Sequence, residues 1–194
     1  MKNLKGRPVK ESGCLDPIQN VFYTDFDGIH FIMRQPRKKD NRALRVAWKK
    51  VSEESKRRYR RVYVDQSLYD MKKRCLFPLY RGMIPGVLPL VVEVEGEVVG
   101  FSDMFFRDGT AFEKFEVPPD APCCTGSIAA LDKFRGMGVG TGYAYTSNAI
   151  GRHFNCKWIL GTTYMRGGMR SIRAKEGWEI VRKRGGLVDH KKRL

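Results

Sequence analysis

Leu131-Asp132-Lys133-Phe134-Arg135-Gly136-Met137-Gly138-Val139-Gly140-Thr141 is the stretch on which the fold turns. The residues before it, from Cys124 to Leu131, predict a strand, and Tyr143, Ser147, Ile150 and Phe154 align at helical spacing over residues 140–154. Three glycines at alternate positions let the chain turn tightly and bring successive N–H groups up to a ligand. These groups open a helix, whose dipole adds positive potential, so a phosphate or pyrophosphate is the natural guest. A nucleotide P-loop would need a Lys-Ser/Thr pair after the glycines, and none follows. A dinucleotide site needs G-x-G-x-x-G early in a βαβ unit, whereas Gly136, Gly138 and Gly140 are evenly spaced and late in the chain. A glycine-rich strand-to-helix connection with no ligand is the plain alternative.

Working outward, residues 1–24 carry Gly6, Pro8, Gly13 and Pro17, which predicts a loosely held basic lead before a domain over residues 25–194. Asp27-Gly28 turns into a short strand over residues 29–34, ended by Pro36. From Asp40, placed as an N-cap, Ala43, Leu44, Ala47, Trp48 and Val51 form a helical stripe. Ser52-Glu53-Glu54-Ser55 opens a second helix, with Tyr59, Val62 and Tyr63 on one face. Residues 75–89 hold three prolines and two glycines and predict a loop. Residues 90–94 and 97–106 form a hairpin across Glu95-Gly96. A further strand over residues 110–117 would set Glu113 and Glu116 on one face, to meet a cationic amine or simply solvent. Residues 158–163 predict a buried strand, residues 168–176 a helix, and residues 178–184 and 187–191 a closing hairpin before a basic C-terminal tail. The order is that of a mixed α/β sheet domain.

Composition narrows the function classes. Lys plus Arg number 37 against 21 Asp plus Glu, a net charge of +16, so polyanions are expected partners. Residues 34–61, from Arg34 to Arg61, hold thirteen basic and three acidic residues, interleaved with Trp48 and Tyr59. Phosphates attract such cations and bases stack on such rings, although two amphipathic helices with solvated outer faces have the same pattern. Apolar runs such as residues 87–92 are far too short to cross a bilayer, and no apolar stretch follows the N-terminal lysines. The five cysteines, Cys14, Cys75, Cys123, Cys124 and Cys156, have no framework spacing and fit reduced thiols in the cytoplasm. His153 and Cys156 form an H-x-x-C pair, but packing at a helix end explains them better than a metal. His30 and His190, the latter in the basic tail, read as ordinary polar residues.

Arg135-Gly136-Met137-Gly138-Val139-Gly140 matches in full the acyl-CoA pyrophosphate loop [QR]-x-x-G-x-[GA], and here the chain resembles the GNAT superfamily of acyl-CoA N-acyltransferases. Residues 127–140 look like that family's fourth strand, loop and third helix. Residues 158–178 look like its fifth strand and fourth helix, ending in Lys175-Glu176-Gly177-Trp178. Asp27-Gly28, Arg34, Pro36, Asp40 and Val51-Ser52-Glu53-Glu54-Ser55 look like the bacterial protein-lysine acetyltransferase branch. The resemblance implies a mostly antiparallel sheet with flanking helices and a wedge where strands four and five splay. It implies acetyl-CoA as donor, with its pyrophosphate on the backbone of Arg135, Gly136, Met137, Gly138, Val139, Gly140 and Thr141. The pantetheine would pair with Ala129, Ala130 and Leu131, an N–H at that strand's end would polarise the thioester carbonyl, and an amine would attack directly.

The chain departs from the family where helpers are usual: Arg166 replaces the customary Asn and Arg173 the customary Tyr, while Asp132 matches a structural acid. No carboxylate lies within residues 124–131. Ser127 and Tyr164, on the two sides of the wedge, are therefore the candidate catalytic residues. The acceptor remains open among a protein or peptide amine, a nucleic-acid base as in phage Mom-like enzymes, and a small amine. A non-catalytic acyl-CoA-binding module is the reading that Arg166 and Arg173 prompt.

Overall fold

The computed structural model describes residues 9–26, 28–40, 42, 46, 49, 52–53, 86–130, 134, 136–165, 172–174 and 176–194. Nine strands form one sheet in the order β1-β2-β3-β4-β5-β6-β7-β9-β8. They are β1 (Val9–Asp16), β2 (Val21–Phe26), β3 (Ile29–Arg34), β4 (Gly86–Val94), β5 (Glu97–Asp108), β6 (Pro122–Ala130), β7 (Trp158–Tyr164), β8 (Glu179–Arg184) and β9 (Leu187–Arg193). Helix α1 (Val139–His153) connects β6 to β7. These two strands are the one parallel pair in the sheet, because a helical crossover returns the chain in the same direction. Short turns join the antiparallel pairs β1–β2, β2–β3, β4–β5 and β8–β9. Glu95 and Gly96 both take positive φ, 50° and 77°, as do Gly185 and Gly186, 51° and 80°. Two left-handed residues are what a two-residue hairpin requires.

The lead segment differs from its sequence reading. Residues 9–16 and 21–26 are paired strands rather than a loose arm. Val21 to Phe26 alternate half-buried and buried, and Phe22 and Phe26 enter the core completely. Pro17 sits in the turn between them, where Asp16 Oδ1 accepts hydrogen bonds from the N–H groups of Ile18 and Gln19, each 3.0 Å. Phe22, Phe31, Met33, Leu88, Leu90, Met104 and Ile150 make the main core between sheet and α1. Each such side chain contributes about 1.5–3 kcal/mol through burial.

The expected strand over residues 110–117 is instead a 3-10 segment, Gly109–Phe115. Its backbone turns away because Thr110 N–H bonds the Pro119 carbonyl at 2.9 Å, and the Pro118 carbonyl fills the space beside Gly109. The segment kinks at Phe112, whose φ of −130° is not helical, and Phe112 and Phe115 pack on Cys123 and Leu160. Glu113 and Glu116 consequently form no strand face; Glu116 is the left-handed residue that ends the segment. β4 also starts earlier than Leu90, at Gly86, within the stretch expected to be a loop. The expected closing-hairpin strand over residues 187–191 is β9, which runs on to Arg193 through the basic end and lies between β7 and β8, with Val188, Asp189 and His190 buried.

Arg34 is no phosphate contact. Its guanidinium is buried between two carboxylates, 2.7 Å from Asp40 Oδ2 and 2.5 Å from Glu93 Oε1. Asp40 also accepts the Arg37 N–H, which braces the chain entering the next element, while residues 41 and 43, whose N–H groups an N-cap would serve, lie outside the described residues. Burial pushes its carboxyl up, but the bonds from Arg34 and Arg37 hold it below the ordinary range. Beyond this cluster Arg37, Lys38, Lys39, Arg42 and Lys49 are exposed, while most of residues 41–61 lie outside the described residues.

Candidate functional site at the wedge between β6 and β7

Pairing between β6 and β7 covers Cys123–Trp158, Cys124–Ile159 and Thr125–Leu160, and stops there. Each strand continues bonded to its outer neighbour. β6 stays on β5 as far as Ala130–Gly100, and β7 stays on β9 as far as Tyr164–Leu187. The inner edges of residues 126–130 and 161–164 therefore diverge into a gap. Backbone edges of that kind call for a strand-like guest carrying amides.

The gap's helix-side end is built by the glycine loop. Gly136 and Gly138 have φ of 78° and 83°, a conformation that L side chains rarely adopt. The first internal bond of α1 runs from Gly142 N–H to the Gly138 carbonyl at 2.9 Å, and the N-cap residue, Gly138, has no side chain to cap the helix. The N–H groups of Val139, Gly140 and Thr141 thus precede the helical ladder, where an anion is favoured by dipole and hydrogen bonding together. The expected loop residues from Gly136 to Thr141 lie at this end, whereas Leu131, Asp132, Arg135 and Arg166 lie outside the described residues. Ala129 and Ala130 are on the β6 arm of the gap.

On the sheet face away from α1, Ser127 is paired in register with Asp103 of β5. Its hydroxyl donates to Asp103 Oδ1, and its N–H reaches the same oxygen at 3.2 Å. Asp103 is 2% exposed, and its Oδ2 accepts no hydrogen bond among the described residues. Burial raises its carboxyl pKa, and the two bonds from Ser127 only partly offset that. Such a group is poised to take a proton. Because Thr125 and Leu160 are register partners, Ser127, Thr162 and Tyr164 fall on the same face by strand alternation. Tyr164 is 50% exposed at the open end. Thr162 donates to the fully buried Asp189 at 2.5 Å, and Arg182 and Arg184 reach the same carboxylate at 3.4 and 3.3 Å. That cluster ties β7, β8 and β9 together behind the gap.

No protein-family model matches this chain, and no curated protein sequence does. Solved structures do. The GNAT domain of S. lividans PAT is 19% identical, with 87% of this chain and 93% of that one covered at a TM-score of 0.60. RimJ of Mycobacterium smegmatis, solved with CoA-disulfide, is 12% identical over 85% and 82% of the two chains, at 0.56. RimL, named as a ribosomal L7/L12 alpha-N-protein acetyltransferase, is 8% identical over 84% and 90%, at 0.55. The chain has the fold of the GNAT superfamily. Within the GNAT fold, the β6–β7 gap corresponds to the splayed wedge that the sequence resemblance implied.

Asp103 is the residue that sequence reading passed over. Attention went to carboxylates on the strand before the loop, but the acid stands one strand away and reaches across to Ser127. Its signal was a carboxylate, beside Ser102, in the middle of the otherwise apolar stretch over residues 98–106. Ser102 Oγ also bonds the Ser127 carbonyl at 2.6 Å, which fixes Ser127 from a second side.

The neighbouring cysteines are poor nucleophiles. Burial pushes the Cys123 thiol up to about 12, and contact with Cys156 together with complete burial raises Cys124 well above its usual value. Both remain protonated thiols at neutral pH. Incubation with radiolabelled acetyl-CoA alone is accordingly expected to leave no label on the protein. A stable, cysteine-dependent thioester would contradict this.

Proposed function

We propose that this protein is an acyl-CoA-dependent N-acetyltransferase, with acetyl-CoA as donor and a macromolecular amine as acceptor. The observation that carries the proposal is the two-sided wedge: an uncapped helix N-terminus at one end and the buried Ser127–Asp103 pair on the face opposite α1. Residues 136–141 would hold the donor's pyrophosphate, and the free edge of Ala129, Ala130 and Leu131 its pantetheine amides. The acceptor amine then meets the thioester from the Ser127 side. Asp103, ionised, receives the proton that the amine nitrogen loses as it attacks, either directly or through Ser127 Oγ. Tyr164, at the mouth, orients the acceptor. Direct attack agrees with the unreactive thiols.

A protein amine is the acceptor we favour. A cationic lysine is drawn to the Asp103 side, and RimL, which shares the fold, is named as a protein acetyltransferase. The second reading, a nucleic-acid acceptor, is favoured by the exposed run Arg37, Lys38, Lys39 and the net charge of +16. One experiment separates them. CoA release from acetyl-CoA is followed with lysine peptides, folded proteins, tRNA and duplex DNA, and mass spectrometry locates the acetyl group. The expected result is acetyl on protein amines, with nucleic acid unmodified. Acetylated nucleic acid, with affinity falling about 0.9 log units per neutralised phosphate for each tenfold rise in salt on duplex DNA, would replace the first reading by the second. Absence of CoA release with every acceptor would count against both.

A further inference from the structure

Two glycines stand at the closed end of the wedge. Gly126 and Gly161 are the first residues on each arm beyond the last β6–β7 pair, Thr125–Leu160. A Cβ on Gly126 would lie 2.9 Å from the Tyr143 hydroxyl, and a Cβ on Gly161 only 2.2 Å from an Arg173 guanidinium nitrogen. The space that a side chain would take is filled at Gly126 by the Met104 sulfur at 2.4 Å, with the Asp103 carbonyl and the Tyr143 hydroxyl beside it, and at Gly161 by the Arg173 guanidinium alone.

Arg173 has no visible reason to be there. It is 5% exposed, and its Nε and Nη1 have no hydrogen-bond partner among the described residues. No described carboxylate pairs with it. Its guanidinium stacks 4.5 Å from the Trp178 ring, a contact worth about 2 kcal/mol when desolvated, which brings no negative charge to it. An uncompensated buried ion costs several times the value of an ordinary contact. Among the described residues, the surrounding titratable groups supply no counter-charge. Tyr143 faces it from α1, and His190, opposite Gly161 in register, is bonded to Thr163 at 2.8 Å. Glu176 is engaged with Tyr145 and Lys192. Such a cation awaits an anion.

Resting on the acyl-CoA reading, we propose that Arg173 is the group that stabilises the departing thiolate of CoA. The acceptor nitrogen forms a bond to the acetyl carbon, the carbon–sulfur bond breaks, and sulfur leaves with the electron pair. The amine proton passes to Asp103 on one face, and the negative sulfur is met by the guanidinium on the other. Two charges of opposite sign therefore develop on opposite faces of the sheet, each beside its complement. The pyrophosphate does not compete for Arg173, because the helix N-terminus at Gly138 serves it.

The test reads the thiol itself. CoA bound to wild type, Arg173→Gln and Arg173→Lys is titrated with pH by thiolate ultraviolet absorbance, against a desulfo-CoA blank. The expected result is ionisation of bound CoA at lower pH than free CoA in wild type, loss of that shift in Arg173→Gln, and substantial retention in Arg173→Lys. Turnover of Arg173→Gln should fall about 10²–10³-fold, the range for removing one charge-stabilising donor, with the KM for acetyl-CoA little changed. Wild-type CoA that binds yet ionises as free CoA does would overturn the proposal while leaving the acyl-CoA reading intact. So would equal shifts in wild type and Arg173→Gln. Failure of CoA to bind wild type would remove both.

Discussion

Asp103→Asn is expected to lower kcat/KM about 10²–10⁴-fold, the contribution of a positioned proton acceptor, while raising the melting temperature at neutral pH. Asparagine retains an oxygen for the two bonds from Ser127, so the strand pairing survives. What disappears is the buried charge. The folded pKa of Asp103 is raised above its unfolded value. The stability linked to this group is therefore fully present below the unfolded pKa and lost as pH rises through the folded one. Asparagine suffers no such loss, so the variant's advantage should be absent in acid, grow across that window and level off above it. The wild-type kcat/KM should fall as pH drops through the same raised pKa, because a protonated Asp103 accepts nothing. A variant that is less stable at neutral pH and fully active would show that the acid is merely structural. Melting curves and pH–rate profiles on the two proteins decide the matter. The pattern of lost activity with gained stability is what a strained functional group produces and an ordinary core residue does not.

Local features carried the sequence reading where one interaction dominates. Gly136 and Gly138 declared the loop because left-handed backbone favours glycine, and Gly96, Gly185 and Gly186 declared their hairpins for the same reason. The helix after the loop was visible because Tyr143, Ser147 and Ile150 share one buried face. Long-range pairings were hidden. β1 has a weak pattern of its own and owes its place to β2, whose Phe22 and Phe26 anchor it. The segment after Asp108 has strand-like residues, yet the bond between Thr110 and Pro119 folds it into a 3-10 turn.

The site divides along the same line. Ser127 was readable as a polar residue on the strand before the loop, but its partner Asp103 lies twenty-four residues earlier and meets it only through the β5–β6 register. Arg173 was visible as a departure from the usual residue of the family that the sequence resembles. Its burial against Gly161 depends on segments distant in sequence meeting at one point. Arg34 was misplaced for a related reason. A basic residue beginning a basic run looks solvated until Asp40 and Glu93 close around it.

The central claim is that acetyl-CoA binds where the glycine loop opens α1, and calorimetric titration of acetyl-CoA into wild type and Gly138→Asp tests it most directly. Aspartate tolerates the left-handed backbone better than most residues, so the fold should persist, with about 1–2 kcal/mol of strain. Its carboxylate would stand at the helix N-terminus, filling the place of the pyrophosphate and repelling it. Measurable binding to wild type and a loss on the order of a hundredfold in the variant, about 2.7 kcal/mol at ~1.4 kcal/mol per tenfold, is the predicted result. Equal affinity in the two proteins, or no binding to either, would contradict the account.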